Sequence, residues 1–303
     1  MAKIGRFRNA TDEAAFLRAY EAVGAEWPVS FTDLDIETSF GTTRVRRSGE
    51  APAIGGTTRE SGPAPLMLFP GITGNGMASR GFVEELSKDR VVYTPDIMGW
   101  PGRCRQTAPI LDQADITHWV VEVLDGLGVE RVHLAGVSFG AWMAGVVGAH
   151  RSDRLASVIM LEPSGGAFIR PRLSVLWKFL VAGLRPTDER MRKLTEWLTP
   201  GLELDENERA MVRAGRKYRF ALPWERPLTE DQLRALTAPL LVLFGAATVV
   251  NDPEAVARRI RDHIPAADIE VYPGVGHEMP WAIKDKVMQR LLAFATEHDP
   301  VRT

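Results

Sequence analysis

The chain has 303 residues, with 37 Lys and Arg against 39 Asp and Glu, a net charge of −2 and 45% hydrophobic residues. This balance is that of a soluble globular protein, and it excludes a strongly basic nucleic-acid binder or a charge-rich disordered tail. A single cysteine, Cys104, leaves no internal disulfide and no thiol cluster for structural zinc.

The first residues are basic but lead into no apolar stretch, so no secretory signal is expected there. The longest uncharged run, 134–149, is too short to span a bilayer and is broken by Ser138 and glycines. The expectation is a cytoplasmic protein with no membrane or nucleic-acid partner.

Residues 11–25 carry Ala14, Phe16, Leu17, Tyr20 and Val23 at helical spacing, after a start signal at Thr11, Asp12 and Glu13. Two alternating segments, 33–40 and 42–46, split by Gly41, predict an antiparallel hairpin. Gly, Pro, Ser and Thr crowd 48–65, which predicts a surface loop. Compact apolar runs then recur at 66–69, 91–94, 132–137, 155–161, 240–244 and 269–272. Helical patterns lie between or after them, at 81–88, 112–127, 139–150, 253–263 and 284–296. Uncharged strand-length runs alternating with amphipathic helices predict an α/β protein with a mostly parallel sheet covered on both faces. Residues 164–237 break the alternation. They hold helical stretches near 173–184, 187–198, 205–219 and 229–236 and no convincing strand. The expected domains are a core of 1–163 with 238–303, and a helical cap of 164–237 over the carboxyl edge of the sheet, where open α/β sheets bind ligands.

The strongest chemical signal is Gly136-Val137-Ser138-Phe139-Gly140, at the end of one predicted strand and the start of the following helix. In that context the motif reads as a nucleophile elbow. The tight turn leaves no room for side chains two residues either side of the serine. It also lifts the Ser138 hydroxyl clear of the backbone, where the Phe139 N–H and the helix dipole face developing negative charge. The second signal is His277 in Gly276-His277-Glu278, on a glycine-rich turn after the last strand. There an imidazole can take the Ser138 proton and return it to a leaving group. The other histidines sit in a helix (His118), inside a strand (His133), at helix ends (His150, His263) or in the tail (His298).

From 65 to 300 the chain resembles the α/β-hydrolase fold family. The likeness rests on Leu66–Gly71, the segment from Asp96 to Gly102, the elbow at Ser138, the Gly245 turn and Gly276-His277. The N-terminal helix and hairpin resemble those of small bacterial carboxylesterase-like members. The resemblance implies an oxyanion site formed by the Ile72 and Phe139 amides. Two departures stand out. Pro70-Gly71-Ile72 replaces the family's His-Gly-x, and Thr248 occupies the place, three residues past Gly245, where the family carries its acid. Two carboxylates can substitute. Glu162 follows the 155–161 strand, a position some superfamily members use. Asp252 precedes Pro253 and also reads as a helix N-cap. A Ser–His dyad oriented by water or Thr248 is the third option. Glu162 is the working assignment.

A serine at the elbow favours acyl transfer over the alkyl-ester chemistry that needs aspartate there. Cap aromatics Trp177 and Trp224, with Trp100 and Trp142 below them, are the candidate lining of an apolar substrate pocket. Equally, such side chains dock a cap onto its core. Cys104 reads as an inert thiol, and the Arg-rich stretches of the cap as solvated faces. The expected protein is a cofactor-free, metal-free serine hydrolase, a monomer or homodimer, that acts on an ester, thioester or lactone of a small acyl substrate. The rivals are an acyl transferase or cyclase using the same intermediate, and a degenerate hydrolase fold that only binds.

Overall fold

The computed structural model describes residues 4–49, 62–164, 166–171, 173–184 and 187–300. Eight strands form the backbone of one sheet: β1 (Phe31–Thr38), β2 (Gly41–Ser48), β3 (Leu66–Phe69), β4 (Val92–Pro95), β5 (Val132–Val137), β6 (Leu155–Leu161), β7 (Leu240–Gly245) and β8 (Asp268–Tyr272). Their order across the sheet is β8-β7-β6-β5-β3-β4-β2-β1. From β4 to β8 every pairing is parallel, while β2 runs antiparallel to both β1 and β4. The expected fold class is the one observed.

The continuous apolar runs reflect burial on both faces. In β3, Leu66 and Leu68 point into one hydrophobic layer with α1 (Ala10–Ala25) and α2 (Arg80–Leu86). Met67 and Phe69 point into the opposite layer, with α3 (Gln113–Gly126) and α4 (Phe139–Arg151). β6 and β7 alternate in the same way: Ile159, Leu161, Leu241 and Leu243 face the first layer, and Val158, Met160, Val242 and Phe244 the second.

The predicted hairpin is present, with its first strand shifted two residues earlier and its second strand longer, starting at Gly41. Thr38 pairs with Gly41 across the turn; β2 extends to Ser48 because Val45–Ser48 also pair with β4, while Gly41 and Thr42 at its start pair with a short segment at Arg105–Gln106. Those partners lie 44 to 65 residues away, beyond the reach of local alternation. The predicted 48–65 loop falls mostly outside the described residues.

After β6 come α5 (Leu173–Leu184), α6 (Asp188–Leu198), α7 (Glu206–Gly215) and α8 (Glu230–Ala235), then α9 (Pro253–His263) between β7 and β8, and α10 (Met279–Ala282) and α11 (Lys284–Glu297) after β8. The 205–219 stretch is helical only to Gly215. Tyr218–Arg219 then pairs antiparallel with Arg6–Phe7, a contact helical periodicity cannot foresee. α1 packs along α7, and Arg80 bridges Glu26 at the end of α1 to Asp205 and Glu208 at the start of α7. The N-terminal helix thus holds down one side of the helical segment. α8 lies against α4, with Leu228, Leu233 and Leu236 in the core layer. α5 is different: Leu173, Trp177, Leu180 and Leu184 all face solvent. Among the described residues no helix is long and apolar enough to cross a membrane.

Candidate active site

The elbow joins β5 directly to α4. Ser138 has φ 53° and ψ −112°, a conformation costly for a residue with a Cβ and one that persists only where the surroundings impose it. The glycines around it are required by backbone contacts. A Cβ on Gly136 would stand 2.2 Å from the Gly140 carbonyl, and one on Gly140 would stand 2.5 Å from the carbonyl oxygens of Phe69 and Pro70. The Ser138 N–H donates to Leu161 O at 3.0 Å, tying the turn to β6.

The turn after β8 brings His277 over the same edge of the sheet. Its Nε2 lies 3.1 Å from Ser138 Oγ. Its Nδ1 lies 3.2 Å from Glu162 Oε2. Glu162 is completely buried and holds φ at 46°, as the first residue past β6. Its other oxygen accepts the Gly245 N–H at the end of β7. A carboxylate can only accept, so Nδ1 must carry the proton and Nε2 is left as the acceptor for the serine hydroxyl. The three side chains form one hydrogen-bonded chain across the carboxyl ends of β5, β6 and β8, joining residues 115 and 139 positions apart.

The residues of the two alternatives, Thr248 for a dyad and Asp252 as acid, lie differently. Thr248 is buried, and its hydroxyl has no hydrogen-bond partner among the described residues. Asp252 caps α9, accepting the Ala255 N–H at 3.1 Å. Asp252→Ala is therefore expected to cost about 1 kcal/mol of stability through the lost cap and to leave kcat within about twofold. Denaturation and turnover measured on one preparation check both halves of this expectation.

Ile72 and Phe139 line the cavity into which Ser138 and His277 open. Phe139 N–H is the first amide of α4 and has no acceptor within the helix. The loop carrying Ile72 is held by a turn, Gly74 N–H to Gly71 O at 3.0 Å, with Thr73 at φ 63°. Asp96, buried past β4, anchors the far end of that loop. It accepts the Gly76 N–H at 2.9 Å and the Arg103 N–H at 2.7 Å. Asn75 caps the following turn through Met77 N–H, a loop-forming role. The Cys104 thiol donates to Asp96 O at 3.3 Å, and burial pushes it well above the ordinary thiol range, which keeps it protonated and inert.

The aromatic expectation needs correction. Trp100 and Trp142 do not line the cavity. They pack against the Phe139 ring at centroid distances of 4.8 and 4.9 Å, and Trp142 Nε1 donates to Arg226 O at 2.9 Å. They support Phe139, the residue after Ser138, from beneath, because α4 turns that face into the core. Trp224 does line the cavity. Trp177 lines a separate outer groove on α5. The inner cavity holds about 50 Å³, and the apolar groove outside it about 1020 Å³. Leu176, Phe179 and Trp224 border both.

Two polar residues of the cavity were not anticipated, Ser164 and Glu225. Ser164 follows two residues after Glu162, and its N–H donates to Ser138 O at 3.2 Å. Glu225 stands in Trp224-Glu225-Arg226, which in sequence looks like any solvated charge pair; no local pattern marks it.

A parallel sheet with its serine elbow at the centre, a histidine after the last strand and an acid between them defines a hydrolase scaffold of one particular type. Residues 66–286 match the Alpha/beta hydrolase family, and the chain belongs to that family. It is 23% identical over 292 residues to the carboxylesterase YbfK of Bacillus subtilis, covering 92% of this chain and 93% of that enzyme. It is 28% identical over 236 residues to a 2-hydroxymuconate semialdehyde hydrolase of Pseudomonas sp. strain CF600, covering 70% and 80%. The crystal structure of naproxen esterase from Bacillus subtilis superposes with a TM-score of 0.83 at 22% identity, over 95% of this chain and 99% of that one.

Proposed function

We propose that this protein is a serine ester hydrolase with Ser138 as nucleophile, His277 as general base and Glu162 as the orienting acid. The observation that carries the reading is the unbroken contact chain from Ser138 Oγ through both ring nitrogens to Glu162, at 3.1 and 3.2 Å. It is supported by two Bacillus subtilis relatives named as carboxylesterases, each aligned over at least 90% of this chain.

Ser138 Oγ attacks the acyl carbon while His277 Nε2 takes the hydroxyl proton. The imidazolium is stabilised by the Glu162 charge, and the new oxyanion faces the Ile72 and Phe139 amides. His277 then hands the proton to the departing alkoxide. Water, deprotonated by the same imidazole, attacks the acyl-enzyme and frees the acid. The cavity beside Ser138 and His277 is walled on one side by Val175, Leu176 and Phe179 of α5. The apolar groove that α5 borders suits the hydrocarbon part of the ester.

A fluorophosphonate probe tests the assignment. The intact protein should gain the phosphonyl mass on the peptide containing Ser138, and Ser138→Ala should gain none. An unlabelled intact protein would favour a binder that has lost turnover. With labelling secured, product analysis with added alcohol or amine separates water from another acceptor as the species that releases the acyl group.

A further inference from the structure

We propose that Glu225 is a specificity carboxylate, which selects esters with a cationic or hydrogen-bond-donating group near the scissile bond and rejects those bearing a carboxylate. The proposal rests on the hydrolase reading above for its reaction, and extends it to substrate class.

Glu225 comes from the segment between α7 and α8 and lines the same small cavity as Ser138 and His277. Its carboxylate accepts the Ser164 hydroxyl and, at 3.2 Å, the Gly166 N–H. Its side chain lies so close over Gly166 that a Cβ there would stand 2.6 Å from Oε1. Four lone-pair directions are available on a carboxylate, and these two donors use two of them. The rest of the cavity wall is apolar apart from the residues of the contact chain and Ser164. Among the described residues no Lys or Arg lines the cavity, and no cation pairs with Glu225. Burial holds its carboxyl above the ordinary carboxylate range, and the Ser164 hydroxyl, the Gly166 amide and the nearby His277 offset only part of that.

An ionised carboxylate without a cationic partner, in an apolar cavity, is costly unless something compensates it. Here the open side of the group is the space where substrate must sit. A substrate ammonium or N–H donor supplies the missing charge or hydrogen bond, and a substrate carboxylate meets a like charge in a poorly screened site. A purely structural role, as a strap between the cap segment and the loop after β6, would instead weaken all substrates alike.

The test uses three p-nitrophenyl esters of matched length at pH 8: valerate (neutral), 4-(trimethylammonio)butyrate (cationic) and hemiglutarate (anionic). For each variant, kcat/KM of the charged esters is divided by that of the neutral one. The cationic-to-anionic ratio should fall at least tenfold in Glu225→Gln and be retained in Glu225→Asp. A ratio unchanged within twofold, or an equal loss for all three esters, would overturn the proposal. The corresponding methyl ketones, bound to Ser138→Ala and to Ser138→Ala/Glu225→Gln and followed by tryptophan fluorescence, carry the same charge ratio without turnover. The hydrolase reading and this one can therefore fail separately.

Discussion

Glu162→Gln is expected to lower kcat by roughly 10⁴ with the fold intact, the size found when the orienting acid of a serine protease is replaced by its amide. Glutamine can still accept the Gly245 N–H through its carbonyl oxygen, as Glu162 Oε1 does. Its NH₂ group then faces His277 Nδ1, which must become an acceptor. The ring proton moves to Nε2, the nitrogen 3.1 Å from Ser138 Oγ, and the base is blocked in the wrong tautomer. The loss should fall on kcat, with KM little changed, since no contact with the apolar groove is altered. Circular dichroism and an unchanged unfolding midpoint would separate this chemical effect from misfolding. A loss below about tenfold, ~1.4 kcal/mol, would mean that His277 needs no acid and that a Ser–His dyad carries the reaction.

Asp299→Ala is expected to lower the unfolding free energy by about 3 kcal/mol, although the residue is far from the site. Asp299 follows α11 and closes the chain onto the sheet. Its carboxylate accepts the Ala64 N–H at 2.8 Å, Arg90 Nη1 at 3.2 Å and His133 Nε2–H at 3.0 Å. Arg90 is 1% exposed, and removing Asp299 leaves its buried guanidinium with only the half-exposed Asp89, 3.3 Å from Nε, as a charged partner. His133 in β5 completes the group by accepting the Ser157 hydroxyl at 2.8 Å. Burial alone would raise the Asp299 carboxyl, but the His133 hydrogen bond and the Arg90 charge outweigh it and hold the group below its ordinary value. Burial also lowers His133, against a smaller opposing pull from Asp299.

Both groups bind fewer protons folded than unfolded, so both contributions shrink on acidification. That of His133 declines below about pH 6.5 and that of Asp299 below about pH 4. Urea titrations of the two proteins at pH 7 measure the stability gap directly. Lowering the pH further, from about 4 to about 3, should narrow it, because the parent is then protonating the carboxylate that the variant already lacks.

Much of this molecule was legible along the chain. The inner strands β3 to β7 are short apolar runs because each is covered on both faces, while β8 is an edge strand with Val271 exposed; the amphipathic helices between the strands announce the crossovers. Gly136, Ser138 and Gly140 marked the elbow because a strand-to-helix turn this tight admits no other spacing. The position of His277, on a glycine turn after the final strand, followed from the same topology. Strand ends were less exact where pairing partners were distant, as in β2, and the Tyr218–Arg219 pairing with Arg6–Phe7 left no local trace.

Residue order alone determined a mostly parallel α/β sheet, a serine elbow and a histidine near the end, since period, turn chemistry and close glycine packing are local properties, and the likeness of those motifs to a known family pointed to the α/β-hydrolase scaffold. Only the tertiary structure decided which carboxylate faces His277 Nδ1, that Trp100 and Trp142 lie beneath Phe139 and not in the cavity, and that Glu225 comes down from the helical segment beside Ser138. Those outcomes depend on how loops at the ends of separate strands converge and on which side of a helix meets the core. Such distances are set by the packing of the whole sheet, and no spacing within one segment encodes them.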